Sequence, residues 1–173
     1  IHMFEPLSMT GLEIMSELIV AGFADPHTAY LANAAFARLR DEILTEGPGL
    51  ALVLRHLDGR ITVRESIDLS SNANEQEAFW RSLAGRIFAV LPKPGTKTAI
   101  DPGDDLTALG ISESFLQAVG EAVGPETSAV ILACEAGDRE RITGLLRGFG
   151  ARLARTHLPG NDPQAWLATL HQR

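Results

Sequence analysis

Apolar runs and stripes of helical period alternate along the chain. Ser16 to Phe23 (SELIVAGF) is a short apolar run and predicts a strand. Asp25-Pro26 follows as a helix start, with Asp accepting from unpaired amides at the N-cap and Pro losing nothing at the first helical position. Ala29, Ala32, Phe36, Leu39 and Ile43 then share one helical face, extending the helix to about Leu44, and Gly47-Pro48-Gly49 stops it. Leu50–Leu57 and Arg60–Ile67 flank Asp58-Gly59, a pair suited to a two-residue type I′ hairpin turn. That turn sets Leu57 opposite Arg60, His56 opposite Ile61, Leu54 opposite Val63 and Leu50 opposite Ile67. One face then carries Leu50, Leu52, Leu54, His56, Ile61, Val63 and Ile67. The other carries Val53, Arg55, Leu57, Arg60 and Arg64.

Asn74 to Leu91 predicts a helix with Phe79, Trp80, Leu83, Ile87 and Val90 on a broad stripe, ended by Pro92. Residues Pro92 to Gly110, rich in Pro, Gly and Asp, predict a long internal loop. Ser112 caps a helix bearing Phe115, Val119, Ala122 and Val123, closed by Gly124-Pro125. Ser128–Glu135 predicts a strand, and Asp138 caps a helix with Ile142, Leu145, Leu146 and Phe149, terminated by Gly148 and Gly150. Arg152–Leu158 is a strand, and Asp162-Pro163 opens a last helix with Trp166, Leu167 and Leu170. The order is β-α-β-β-α-α-β-α-β-α. Ser16–Leu57 and Ser128–Leu158 resemble two split β-α-β units around one sheet. The expected fold class is α+β, a two-layer sandwich that is ferredoxin-like or a variant with an added hairpin strand. Residues 1–14 read as a tag remnant (Ile1-His2-Met3) and N-terminal extension, and residues 15–173 as a single domain.

Composition narrows the function. The 173 residues are 45% hydrophobic and 21% charged, which fits a globular chain that needs no metal or disulfide staple. A formal net charge of −7 argues against phosphate-backbone binding, so no nucleic-acid partner is expected. No run approaches about 18 uninterrupted apolar residues, so no membrane insertion is expected. The single cysteine, Cys134, excludes an intramolecular disulfide and fits a cytoplasmic location. Lys93 and Lys97 are the only lysines among 15 basic residues, a bias that fits a bacterial, GC-rich origin.

Candidate chemistry is sparse. His27 sits in a first helical turn, whereas His56 and His157 lie near strand ends, where a pair could bind a ligand or act as acid and base. No metal-ligand spacing accompanies them, and no catalytic residue, metal or cofactor is assigned. Cys134 in an apolar strand reads as a small core residue. Gly148-Phe149-Gly150 follows a helix and enters a strand, the reverse of a dinucleotide fingerprint. Asp101, Asp104 and Asp105 lack the spacing of a calcium loop. In a two-layer sandwich the Val53 face is the one without helices. Val53, Arg55, Leu57 and Arg64, together with the Trp80 helix, are therefore the expected interface residues of a homo-oligomer, a dimer in the first instance.

Several segments resemble a known family. They are Met15-Ser16-Glu17-Leu18-Ile19-Val20, the Leu50–Ile67 hairpin, Ala78-Phe79-Trp80, Leu109-Gly110-Ile111 with Phe115, Val119-Gly120, Pro125 and Ser128-Ala129, then Gly148-Phe149-Gly150 and Thr156. Together they are similar to the bacterial domain of unknown function 1269, often labelled a predicted membrane protein. Its members resemble one another in a Gly/Ala-rich apolar insert that is replaced here by the short polar Pro92–Asp105. The resemblance implies no activity. The expectation is a non-enzymatic homo-oligomeric assembly or binding module. The alternative is a small-molecule-binding sensor or enzyme with a pocket between sheet and helices that uses His56 or His157.

Overall fold

A computed structural model of the chain describes residues 16–42, 50–56, 60–65, 73–91, 100–124, 126–134, 136–160 and 163–170. In chain order these form β1 (Ser16–Phe23), α1 (Thr28–Glu42), β2 (Leu50–Arg55), β3 (Ile61–Glu65) and α2 (Ala73–Val90). There follow α3 (Gly103–Ala108), α4 (Glu113–Ala122), β4 (Thr127–Cys134), a 3-10 turn (Ala136–Asp138), α5 (Arg139–Gly148), β5 (Arg152–Leu158) and α6 (Pro163–Leu170). The proposed tag remnant, the Asp58-Gly59 turn and Leu57 lie outside the described residues.

The five strands form one antiparallel sheet in the order β3-β2-β4-β1-β5. β1 and β2 both run antiparallel to the β4 strand between them. β4 and β5 both run antiparallel to β1, which lies between them. β4 is therefore the central strand and β1 an interior one next to the edge strand β5, and every residue of β1 is buried.

Three features differ from expectation. The first is the number of layers. Leu18 and Val20 of β1 pack with Val53, Ala129 and Ile131 against α2, α3, α4 and α6, whereas Ile19, Ala21 and Phe23 pack with Leu52, Val130 and Leu132 against α1 and α5. Helices thus cover both faces, giving three layers rather than two. The physical reason lies in β1 and β4 themselves: near-continuous apolar runs, rather than alternating ones, require burial on both sides. The second is the hairpin register. Val53 pairs with Val63 and Arg55 with Ile61, one residue away from the two-residue-turn alignment. His56 N–H donates to the Arg60 carbonyl at 2.8 Å, which leaves residues 57–59 to the connection. A one-residue shift moves a strand's whole side-chain set to the other face. Ile61 and Val63 accordingly pack on the Val53 core, and Arg64 is in register with Leu52 rather than with Val53. The third is α3, a short helix inside the stretch expected to be loop.

The larger core contains Phe79, with ring centroids 4.8 Å from Trp80 and 5.2 Å from Trp166. Trp166 donates its indole N–H to the Pro159 carbonyl. Trp80 and Phe88 are both buried because α2 is packed by the sheet on one side and by α6 on another.

Close backbone contact fixes α4 to the sheet. A Cβ on Gly22 would lie 1.9 Å from the Ala122 carbonyl oxygen, so only glycine fits where the C-terminal end of α4 meets β1. At the end of α5, Gly150 adopts φ +82°, while its N–H bonds the Arg147 carbonyl and Ala151 N–H bonds the Leu146 carbonyl. Asp138 does not cap α5 with its side chain; the 3-10 turn leads directly into the helix. Ser112 does cap α4, accepting from Phe115 N–H at 3.3 Å.

Candidate functional site

Two buried charges stand out, at opposite ends of β4. Arg55, the last residue of β2, is buried. Its Nη1 donates to the Val123 carbonyl at 2.6 Å, and its guanidinium lies 5.8 Å from the Phe88 ring centroid. Val123 is the C-cap of α4, so a cation sits at the negative end of that helix. Burial pulls the Arg55 guanidinium down from the ordinary arginine range.

Glu17 occupies the other end. Its side chain is only 4% exposed, and it faces the α1/α5 side of the sheet. The strand register makes it the cross-strand neighbour of Cys134 on β4 and of His157 on β5. Three basic side chains surround its carboxylate. Arg139 Nη1, on the first residue of α5, lies 3.5 Å from Oε2; Arg155 Nη1 lies 3.8 Å from Oε1; His157 Nε2 lies 4.0 Å from Oε2. All three are substantially solvent-exposed, at 42%, 44% and 61% of the side chain. These separations exceed the roughly 2.7–2.9 Å of a tight charge-assisted hydrogen bond. The carboxylate therefore gathers the cations without occupying all of their donors. Two guanidinium groups around one carboxylate leave one positive charge in excess before His157 is counted.

The expected pairing of His56 with His157 is not realised. His56 follows Arg55, which pairs with Thr127 at the start of β4, whereas His157 is level with Cys134 at its end. At about 3.4 Å per residue the two registers are on the order of 20 Å apart. His56 Nε2 instead contacts Thr62 Oγ1 at 2.7 Å across its own hairpin. Of the expected interface residues, Val53, Arg55 and Trp80 are all buried within the chain. The supposedly bare sheet face lies under α2 and α4, which is why these residues are not at the surface. Leu57 and the Arg64 side chain lie outside what is described. Cys134 is buried, as its apolar strand implies.

A cavity of about 730 Å³ exists, and it lies between helices rather than between sheet and helices. Arg86, Ala89 and Val90 of α2, Pro102 to Leu106 around α3, and Thr169 of α6 line it. Arg86 Nη1 and Asp105 Oδ2 form an ion pair of 2.9 Å on its wall, and neither His56 nor His157 reaches it. At the N-terminal end of α1, Asp25 accepts from His27 N–H, Thr28 N–H and the Thr28 hydroxyl at 2.7–2.8 Å. The Thr28 hydroxyl bond, followed by the His27 and Thr28 amides, holds the Asp25 carboxyl below its ordinary value of 3.8.

Sequence reasoning missed the Glu17 corner. Two signals were present: an acid within an otherwise apolar strand, and five of the thirteen arginines between Arg139 and Arg155 with Glu140 as the single acid there. Among the described residues, no group of three or more His, Cys, Asp or Glu side chains is arranged to hold a metal ion. Among them too, no helix is long and apolar enough to cross a membrane.

Comparison with known proteins returns one finding. A family model described as "Protein of unknown function (DUF1269)" matches residues 76–171, from within α2 to just past α6. The apolar stretch that the resemblance placed between the Trp80 helix and Gly110-Ile111 would fall inside this match. No curated protein and no solved structure matches the chain.

Proposed function

The chain belongs to the DUF1269 family, and from that premise we propose that it is a non-enzymatic binding module whose working surface is the Glu17 corner. One observation supports this above the others: a carboxylate buried on β1, beside the edge strand β5, holds two half-exposed arginines and an exposed histidine together at that edge of the sheet. Burying a charge is costly, and a buried ion pair is weak evidence of stability. Gathering exposed cations into one place is what recognition of a partner requires. We also read the interleaved β-α-β units as a ferredoxin-like core. In this reading β3 is an added hairpin strand, and α2, α3, α4 and α6 form an added layer over the face that would otherwise be open.

Native mass spectrometry of the purified chain, compared with Arg155→Glu, tests the role. The expected result is a co-purifying species that the charge reversal removes, and the same spectra report the copy number. Retention of that species by Arg155→Glu would place binding elsewhere. Chemical turnover of it by the purified protein would end the non-enzymatic assignment. The second class, a small-molecule sensor, is favoured by the cavity between α2, α3 and α6, whose volume falls within the range of ligand pockets. Retention by Arg155→Glu with loss in Arg86→Glu would select it.

A further inference from the structure

We infer that the Glu17 corner binds an oxyanion of the phosphate class, gripped by Arg139 and Arg155. This rests on the corner being the binding surface and adds the chemistry of what it takes. Both guanidinium groups lie against the same carboxylate, one on each oxygen side, and so within reach of one small anion. Guanidinium presents its donors in a planar fork that matches the oxygens of phosphate or carboxylate. The long contacts to Glu17 leave donors on both groups directed elsewhere. Glu17 is the positioning residue: it is anchored on β1 between β4 and β5 and cannot itself reach solvent.

Charge distribution supports the same conclusion. The chain carries a net charge of −7, yet the segment from Arg139 to Arg155 is strongly basic. Of that segment's five arginines, Arg139 and Arg155 are the two placed at Glu17. They raise the local concentration of anions at one corner of an acidic chain. His157, level with Glu17 on β5 and largely exposed, supplies a third side chain at the rim. A tetrahedral oxyanion fits because its several oxygens let both guanidinium groups donate to it at once.

The test titrates sulfate and inorganic phosphate into the full chain, with chloride at matched ionic strength as the reference, and follows backbone amide shifts. Saturable shifts in β5 and the first turn of α5 are expected with both oxyanions and not with chloride. Arg139→Gln and Arg155→Gln should each weaken the affinity by about tenfold. Arg155→Lys, which keeps the charge but loses the fork, should retain part of it. Arg152→Gln removes an exposed arginine from the same strand, at a position not facing Glu17, and should leave the affinity unchanged.

No saturable response to either oxyanion, or equal loss in Arg152→Gln and Arg155→Gln, would overturn the inference; the second result would mean diffuse attraction only. Circular dichroism of each variant separates lost binding from lost folding, and both gripping arginines are exposed enough to be replaced without unfolding the chain. Sedimentation with phosphatidic acid vesicles distinguishes the source of the anion. Binding to vesicles by wild type and not by Arg155→Gln assigns a lipid headgroup, and binding of free phosphate alone assigns a soluble ligand. A co-purified species that is lost in Arg155→Glu but carries no anionic group would leave the binding module standing and defeat the phosphate assignment.

Discussion

Arg55 and Glu17 are both buried charges, but they are buried differently. Arg55 meets the carbonyl end of α4 and the Phe88 ring inside the larger core. Glu17 meets three side chains that remain in contact with water. In the first case the charge completes a packed interior, and its removal leaves a buried helix end short of a donor. In the second the partners can rehydrate, so their loss costs the fold little. Burial of a charge alone therefore does not distinguish structural from functional residues. The exposure of its partners does.

The comparison is most sharply tested at Gly22, which shares the α4 docking site with Arg55. Gly22→Ala places a methyl group into the Ala122 carbonyl and should destabilise the chain by more than about 4 kcal/mol, read as the urea midpoint. A well-folded Gly22→Ala protein would show that α4 is not locked to β1. Next in size is Arg55→Met, which keeps much of the volume and removes the donor to Val123. A loss of about 2–4 kcal/mol is expected. Glu17→Gln should change stability by no more than about 1 kcal/mol, because relief of desolvation offsets the lost attraction. A loss as large as that of Arg55→Met would make the Glu17 corner structural and erase the contrast between the two ends.

The smallest effect concerns Asp25. Its folded pKa is lowered, so its contribution is present above the unfolded value near 3.8 and disappears as pH falls through the lower folded value. Wild type should exceed Asp25→Asn in urea midpoint at pH 7, and the gap should close in acid below pH 3.8. A gap that widened in acid would reverse the sign of the linkage.

Much of this architecture is legible in the residues. SELIVAGF and SAVILACE mark the strands that become β1 and β4, and Ser112 and Gly150 mark helix ends where the structure places them. The two-sided burial was also written there, in apolar runs that do not alternate, but a two-layer template hid it. The hairpin register was less accessible. Asp-Gly serves two-residue turns and also closes three-residue connections, and the apolar residues of Leu50–Ile67 are frequent enough to satisfy either alignment. The Glu17 corner is harder still, because residues 17, 139, 155 and 157 meet only once β1 lies between β4 and β5. A lone acid in an apolar strand carries no indication of which distant cations will surround it.

The interior position of β1 also bears on how the chain is made. β1 is synthesised first, yet both of its neighbours, β4 and β5, come more than a hundred residues later. The middle of the sheet cannot close until nearly the whole chain is available, and contacts so distant in sequence slow folding. In the interval the apolar run Leu18–Phe23 of β1 lacks both of its neighbouring strands, which exposes it to aggregation and to holding chaperones. The stretch 76–171 likewise contains β4 and β5 but not β1, the strand that joins them.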